Sequence, residues 1–114
     1  MIYEKSYDAL DYEGEWVDDK MHGKGTANHK NGDKYVGDFK NDMRNGHGKY
    51  TWSENNPDPG KDYIGDWRDN NKHGYGTLQF KNGDKYQGQF IDGKRHGFGV
   101  FYYADGDRYE GEYN

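Results

Sequence analysis

The sequence predicts an all-β protein, an elongated single-layer twisted antiparallel sheet of successive β-hairpins. Three observations carry that reading. Short segments alternate with period two: in Tyr63-Ile64-Gly65-Asp66-Trp67 the Tyr, Gly and Trp project to one face, Ile64 and Asp66 to the other. The pattern Tyr-x-Gly-x-aromatic returns five times, its tyrosines 23, 28, 23 and 23 residues apart, and a fixed period is the mark of a repeat architecture. Between copies lies a turn signal, KNGDKY at residues 30–35 and 81–86 and ADGDRY at 104–109.

Taken in order, residues 1–11 align on the end of a repeat and read as its remnant or as an N-terminal cap. Repeat 1 (12–34) opens with YEGEW and continues with HGKG at His22, two segments that read as antiparallel strands. Repeat 2 (35–62) has YVGDF and NGHG, then an insertion, SENNPDPGKD (53–62), whose prolines and asparagines suit an enlarged surface loop. Repeat 3 (63–85) carries YIGDW and HGYG, repeat 4 (86–108) YQGQF and HGFG, and residues 109–114 begin a truncated repeat 5 with YEGEY. The chain is thus expected to start and stop mid-repeat.

The turn register follows from faces. A two-residue turn at Asn82-Gly83 would pair Phe80 with Lys85 and throw Tyr86 onto the face opposite Phe80. A three-residue loop, 81–83, with Gly83 left-handed in a G1 bulge, pairs Phe80 with Asp84 and keeps Tyr86 on Phe80's face. Because a one-residue slip turns every side chain over, burial of the aromatic stripe selects the second arrangement. For the other hairpin the expected register sets Tyr63 opposite Phe80, Gly65 opposite Leu78 and Trp67 opposite Gly76, each glycine covered by a neighbouring ring.

Composition narrows the function. Val, Ile, Leu and Phe total only 13 of 114 residues, a level usually read as disorder; the regular spacing of 12 Tyr, 3 Trp and 18 Gly overrules it. A net charge of −5 argues against nucleic acid, which needs clustered Lys and Arg. Without cysteine there is neither disulfide nor thiolate metal site, which suits a reducing compartment. With no signal-like or membrane-spanning apolar run, a soluble intracellular chain is expected.

Chemistry is not expected. His22, His73 and His96 stand at equivalent positions two strands apart, about 9.5 Å, too far to share a zinc with ligands at about 2.0–2.1 Å; they read as loop histidines bonding backbone. His29 and His47 add no ligand spacing, and Glu54, Asp58 and Asp62 of the insertion do not match an EF-hand. Glu13, Glu15, Asp38 and Asp66 face away from the aromatic side and read as solvated. HGxG lacks a G-x-S-x-G nucleophile and the GxG strings lack a following helix. No catalytic residue, metal or cofactor is expected, and no enzyme.

The alternation of Y-x-G-x-[W/F] with [H/N]-G-x-G on a 23-residue frame resembles the MORN (membrane occupation and recognition nexus) repeat over residues 12–113. The chain departs from it at the insertion, at Asn45 in place of His, at Ala27 and His29 where aromatics are usual, and where the last copy stops at Asn114. The resemblance implies a curved sheet of hairpins serving as a non-catalytic binding platform. Proteins that look like this are associated with ciliary radial spokes, cytoskeletal rings, membrane contact sites, myosin tails and the regulatory regions of phosphoinositide kinases.

Two surfaces are candidates. A partner-binding groove is expected on the aromatic face, from Tyr12, Trp16, Tyr35, Phe39, Tyr50, Trp52, Tyr63, Trp67, Phe80, Tyr86, Phe90, Phe101 and Tyr103, taking a helical or extended protein segment. A second patch on the reverse face, Phe98, Val100 and Tyr102, is expected to meet a dimer mate, a partner or a continuation of the array. The expected role is a protein-binding scaffold in a cytoskeletal or ciliary (axonemal) assembly, cytoplasmic. The alternatives are a membrane- or phosphoinositide-associated module and a regulatory repeat domain of a larger enzyme such as a lipid kinase. Lipid is disfavoured because the charges of Lys30, Lys34, Lys81 and Lys85 are offset by neighbouring aspartates.

Overall fold

In the computed structural model, which describes residues 2–5 and 10–113, the chain is one ten-stranded antiparallel sheet whose strands lie in sequence order. They are β1 (Ile2–Lys5), β2 (Leu10–Val17), β3 (Lys20–His29), β4 (Lys34–Lys40), β5 (Met43–Thr51), β6 (Gly60–Arg68), β7 (Asn71–Phe80), β8 (Lys85–Ile91), β9 (Lys94–Tyr102) and β10 (Arg108–Tyr113). The all-β class expected from the alternation is what forms, with no helix among the described residues. Residues 1 and 6–9 of the expected leading remnant, and residue 114, lie outside the described residues.

Two kinds of corner alternate. After β3, β7 and β9 the loop has three residues: Phe80 N–H donates to the Asp84 carbonyl at 2.9 Å and Gly83 N–H to the Phe80 carbonyl at 3.0 Å, with the same pairs at His29/Asp33 and Tyr103/Asp107. Gly32, Gly83 and Gly106 adopt φ of 98–99°, a left-handed conformation that costs glycine nothing. The bulged three-residue loop is therefore as expected. The other corners, Asp18-Asp19, Asn41-Asp42, Asp69-Asn70 and Asp92-Gly93, are two-residue turns with φ between 47° and 83° throughout, the type I′ geometry that Asn, Asp and Gly tolerate.

That second corner corrects the register expected for its hairpin. Tyr63 faces Leu78, Gly65 faces Gly76 and Trp67 faces Lys72; the faces are as expected, but the pairing slides by two residues at Tyr63 and Gly65 and by four at Trp67. The tight turn sets Arg68 opposite Asn71, and two surplus residues are then absorbed as a bulge at the [H/N]-G step. There Gly23, Gly46, Gly74 and Gly97 all take positive φ.

Each bulge also turns one backbone N–H outward, and the residue after the motif glycine receives it. Lys24 N–H donates to Glu15 Oε1 at 2.6 Å, His47 N–H to Asp38 Oδ2 at 2.9 Å, Tyr75 N–H to Asp66 Oδ2 at 3.2 Å and Phe98 N–H to Gln89 Oε1 at 2.9 Å. Glu15, Asp38 and Asp66, expected to be simply solvated, are thus acceptors that close the bulge. The histidines, expected in loops, begin strands instead, because the turn before them is only two residues long.

This register lines up nine glycines across the sheet: 14, 25, 37, 48, 65, 76, 88, 99 and 111 are consecutive cross-strand partners. The trough they leave is filled by tyrosine rings. A Cβ on Gly76 would lie 2.1 Å from the Tyr63 hydroxyl, and Gly25, Gly48 and Gly99 stand equally close to Tyr12, Tyr35 and Tyr86. All four tyrosines are 0% exposed. Each hydroxyl donates to the carbonyl three residues on, Glu15, Asp38, Asp66 or Gln89, at 2.8–2.9 Å, so the buried O–H is satisfied.

The aromatic at the motif's end completes the core. Trp16, Tyr12, Phe39, Tyr35, Trp67, Tyr63, Phe90, Tyr86, Tyr113 and Tyr109 form one unbroken chain of edge-to-face contacts, centroids 4.9–5.7 Å apart and planes at 82–89°. Rings of this size bury about 150–250 Å² each, and edge-to-face pairs contribute about 0.5–1.5 kcal/mol beyond burial. That is how a chain so poor in aliphatics holds a one-layer sheet.

The insertion is shorter as a loop than expected. β6 begins at Gly60, because Trp52 N–H donates to the Lys61 carbonyl at 3.0 Å and draws residues 60–62 into the sheet. The rest is tied to its neighbours by Lys81, whose Nζ donates to the Asp58 carbonyl at 2.9 Å, and by Asp33. That carboxylate is 3% exposed and accepts from Tyr50 Oη (2.7 Å), Ser53 N–H (2.7 Å) and Asn56 Nδ2 (3.1 Å). Burial alone would raise its pKa; the bonds from Ser53, Tyr50, Asn56 and Asn31 outweigh it and hold the carboxyl below its ordinary value.

Candidate functional site

The residues expected to line a groove separate into two depths. Tyr12, Tyr35, Tyr63 and Tyr86, with Phe39, Trp67 and Phe90, are buried, and they form the support beneath the surface. A ring lying flat over a glycine ladder and bonded through its hydroxyl has no face left for a partner. Trp16, Tyr50, Trp52, Phe80 and Phe101 are half-buried on top of that support, joined by Leu78 and Tyr113, and Tyr103 is exposed. These outer rings interlock in turn: Tyr50 with Trp52 at 5.0 Å, Phe80 with Phe101 at 5.8 Å, Phe101 with Tyr103 at 4.7 Å.

Sequence reasoning missed the cations among them. Arg44, Lys72 and Arg95 precede the [H/N]-G step and face Phe39, Trp67 and Phe90 across the strands, so the register carries them onto the aromatic side. Arg44 lies over the rings of Trp67 (4.8 Å) and Tyr50 (5.1 Å), Lys72 over Trp52 (5.5 Å), and Arg95 over Tyr113 (5.4 Å) and Phe101 (5.5 Å). Such stacking favours the cation by about 0.5–1 kcal/mol at open sites. Burial pushes the Lys72 pKa down; Asp58 opposes this and Arg44 adds to it. The signal was in the sequence, as the residue two before each bulge glycine, but its face was hidden until the bulge was known.

Between Lys72 and Arg95 the face sinks into a hollow of about 430 Å³, floored by Leu78, Phe80, Phe90 and Tyr113 and rimmed by Lys72, Lys94 and Arg95. An apolar floor with a few polar groups at its rim is what a ligand or peptide side chain needs. Burial also raises the pKa of the tyrosines beneath, Tyr35 and Tyr63 most strongly, with Asp38 and Asp66 adding to it. Their phenols stay neutral hydrogen-bond donors across the physiological range.

The reverse face holds the second patch. Phe98 is exposed and Val100 and Tyr102 are half-buried, Tyr102 beneath Lys85 Nζ at 4.8 Å. The patch extends further than expected, since Phe98 and Val100 share a shallow hollow of about 380 Å³ with Ile64, exposed Tyr75 and Thr77. Elsewhere this face mixes single exposed aliphatics, Val17, Val36 and Ile91, with charged side chains such as Lys24, paired to Asp38 at 2.5 Å. Among the described residues no group of three or more His, Asp or Glu is placed to hold a metal ion.

The arrangement is an apolar, cation-rimmed face on a backing of buried tyrosines. A family model described as MORN repeat matches residues 12–34, 35–56, 63–85 and 86–108. No match was found among curated proteins.

Proposed function

The chain belongs to the MORN repeat family, whose repeats are protein- or membrane-binding modules and typically non-catalytic, and from this we propose that it is a protein-binding scaffold presenting its aromatic face to a partner segment. The observation that carries the reading is the two-layered order of that face: buried tyrosines fix the backing, so the outer rings of Tyr50, Trp52, Phe80, Phe101 and Tyr103 form a preorganised surface. Preorganisation lowers the entropy lost on binding, and aromatic anchors of this kind dominate interface energetics. The cytoplasmic, cytoskeletal or ciliary setting is proposed from the settings in which similar arrays are found.

Affinity capture tests it. Phe80→Ala/Tyr103→Ala, on the aromatic face, and Tyr75→Ala/Phe98→Ala, on the reverse face, change accessible rings and leave the tyrosine backing in place. Proteins retained by the wild-type chain and identified by mass spectrometry are expected to be lost with the first variant and kept with the second. Loss with the second alone would move the site to the reverse face, and loss with neither would sink the scaffold reading.

A further inference from the structure

We propose that the aromatic face selects an acidic amphipathic helix lying across the strands, with a carboxylate every seven residues and apolar residues between. The inference rests on the protein-binding reading above and names the chemistry of the partner. Its ground is charge segregation. The chain is net acidic at −5, yet every Asp and Glu on strands β2 to β10 alternates onto the reverse face. The aromatic side carries Arg44, Lys72 and Arg95 at the same step of successive repeats. The carboxylate that approaches Lys72 comes from the insertion loop, Asp58.

Spacing selects the partner's conformation. Equivalent positions lie two strands apart, about 9.6 Å. In an α-helix, residues seven apart share a face and stand about 10.5 Å apart along the axis, a difference of about 1 Å that Lys, Arg and Glu side chains absorb. A β-strand repeats a face at about 6.7 or 13 Å and matches neither step. Between Lys72 and Arg95 lies the hollow lined by Leu78, Phe80 and Phe90, an apolar surface for the residues three and four beyond each acid. The crowding of desolvated Lys72 against Arg44 is relieved when a carboxylate arrives between them.

The first repeat supplies the control variant. Met21 occupies the equivalent position, buried opposite Trp16, so Lys72→Met and Arg95→Met substitute a side chain this fold already accepts there. The probe is a fluorescein-labelled three-heptad helical peptide with Glu at the first position of each heptad, Leu at the fourth and fifth, and Ala and Gln elsewhere. Anisotropy is expected to show saturable binding to the wild-type chain, weakened about three- to fivefold by each Met variant, at least about tenfold by both, and further by raising salt from about 50 to 300 mM. A peptide with Lys for Glu is expected not to bind.

Failure of the Glu peptide to bind the wild-type chain, or undiminished binding to the double Met variant, would overturn the proposal. So would equal binding of the Lys peptide, tighter binding of phosphatidylserine vesicles through the same cations, or self-association lost in the Met variants. The two readings remain separable. Captured partners that depend on Phe80 and Tyr103 but not on Lys72 and Arg95 would refute the acidic helix and leave the scaffold standing.

Discussion

Replacing Gly76 by Ala tests whether the glycine ladder exists to seat the tyrosines. The added Cβ would lie 2.1 Å from the Tyr63 hydroxyl oxygen and 2.3 and 2.4 Å from Cζ and Cε1 of the same ring, where ordinary contacts begin near 3.4 Å. The ring must retreat by about 1 Å, yet it is wedged between Trp67 at 5.1 Å and Phe90 at 5.2 Å, and its bond to the Asp66 carbonyl at 2.9 Å would be lost. Overpacking costs about 1–3 kcal/mol and the hydrogen bond about 1, so a loss of about 3 kcal/mol is expected, roughly 10–15 °C in Tm for a domain of this size. Gly76 has no positive φ, so none of this is backbone strain. Gly106 is the converse, with φ of 99° and nothing within 4 Å of its added Cβ; its Ala variant should lose only about 1 kcal/mol. Urea melts followed by circular dichroism measure both. A Gly76→Ala variant within about 0.5 kcal/mol of wild type would refute the ring-over-glycine argument.

Asp33→Ala strips the acceptor from Ser53 N–H, Tyr50 and Asn56, and a loss of about 2–4 kcal/mol is expected. Asp84→Ala frees chiefly the Ala104 N–H and should cost under about 1 kcal/mol; equal losses in urea melts would contradict the network. Because the folded Asp33 pKa is depressed, its contribution is present above the unfolded value of about 3.9 and disappears as pH falls through the folded one. Stability measured between pH 5 and 2.5 should therefore drop more steeply for wild type than for Asp33→Asn. At the alkaline end the sign reverses: the raised pKa values of Tyr12, Tyr35, Tyr63 and Tyr86 leave stability intact below about pH 10. Above that, Tyr35 and Tyr63, whose values are raised most, should each remove up to about 1.4 kcal/mol per pH unit, with their ultraviolet ionisation signal delayed beyond the ordinary tyrosine range.

The strands, the 23-residue frame and the three-residue loop were legible because each rests on local physics. Alternation assigns faces from neighbouring residues, and Gly83 and its equivalents state the loop by their need for positive φ. The type I′ corners were equally local, written as Asp18-Asp19, Asn41-Asp42, Asp69-Asn70 and Asp92-Gly93, but they carry little of the Asn-Gly signature by which such turns are recognised. Missing them misplaced the second register by two residues before the bulge and by four beside the turn, and hid the row at Arg44, Lys72 and Arg95.

The candidate face was half legible for a related reason. Period two told which rings share a side, whereas depth depends on which ring finds a glycine opposite. That pairing joins residues such as Tyr63 and Gly76, set by a turn and a bulge between them. The sequence by itself determined that this chain is a repeat sheet with one aromatic face. Only the tertiary structure decided that the tyrosines are buried backing, that Asp33 binds residues some twenty positions away, and that the cations stand on the aromatic side. Alternation is a property of one strand, and burial and charge placement belong to its pairing with the next.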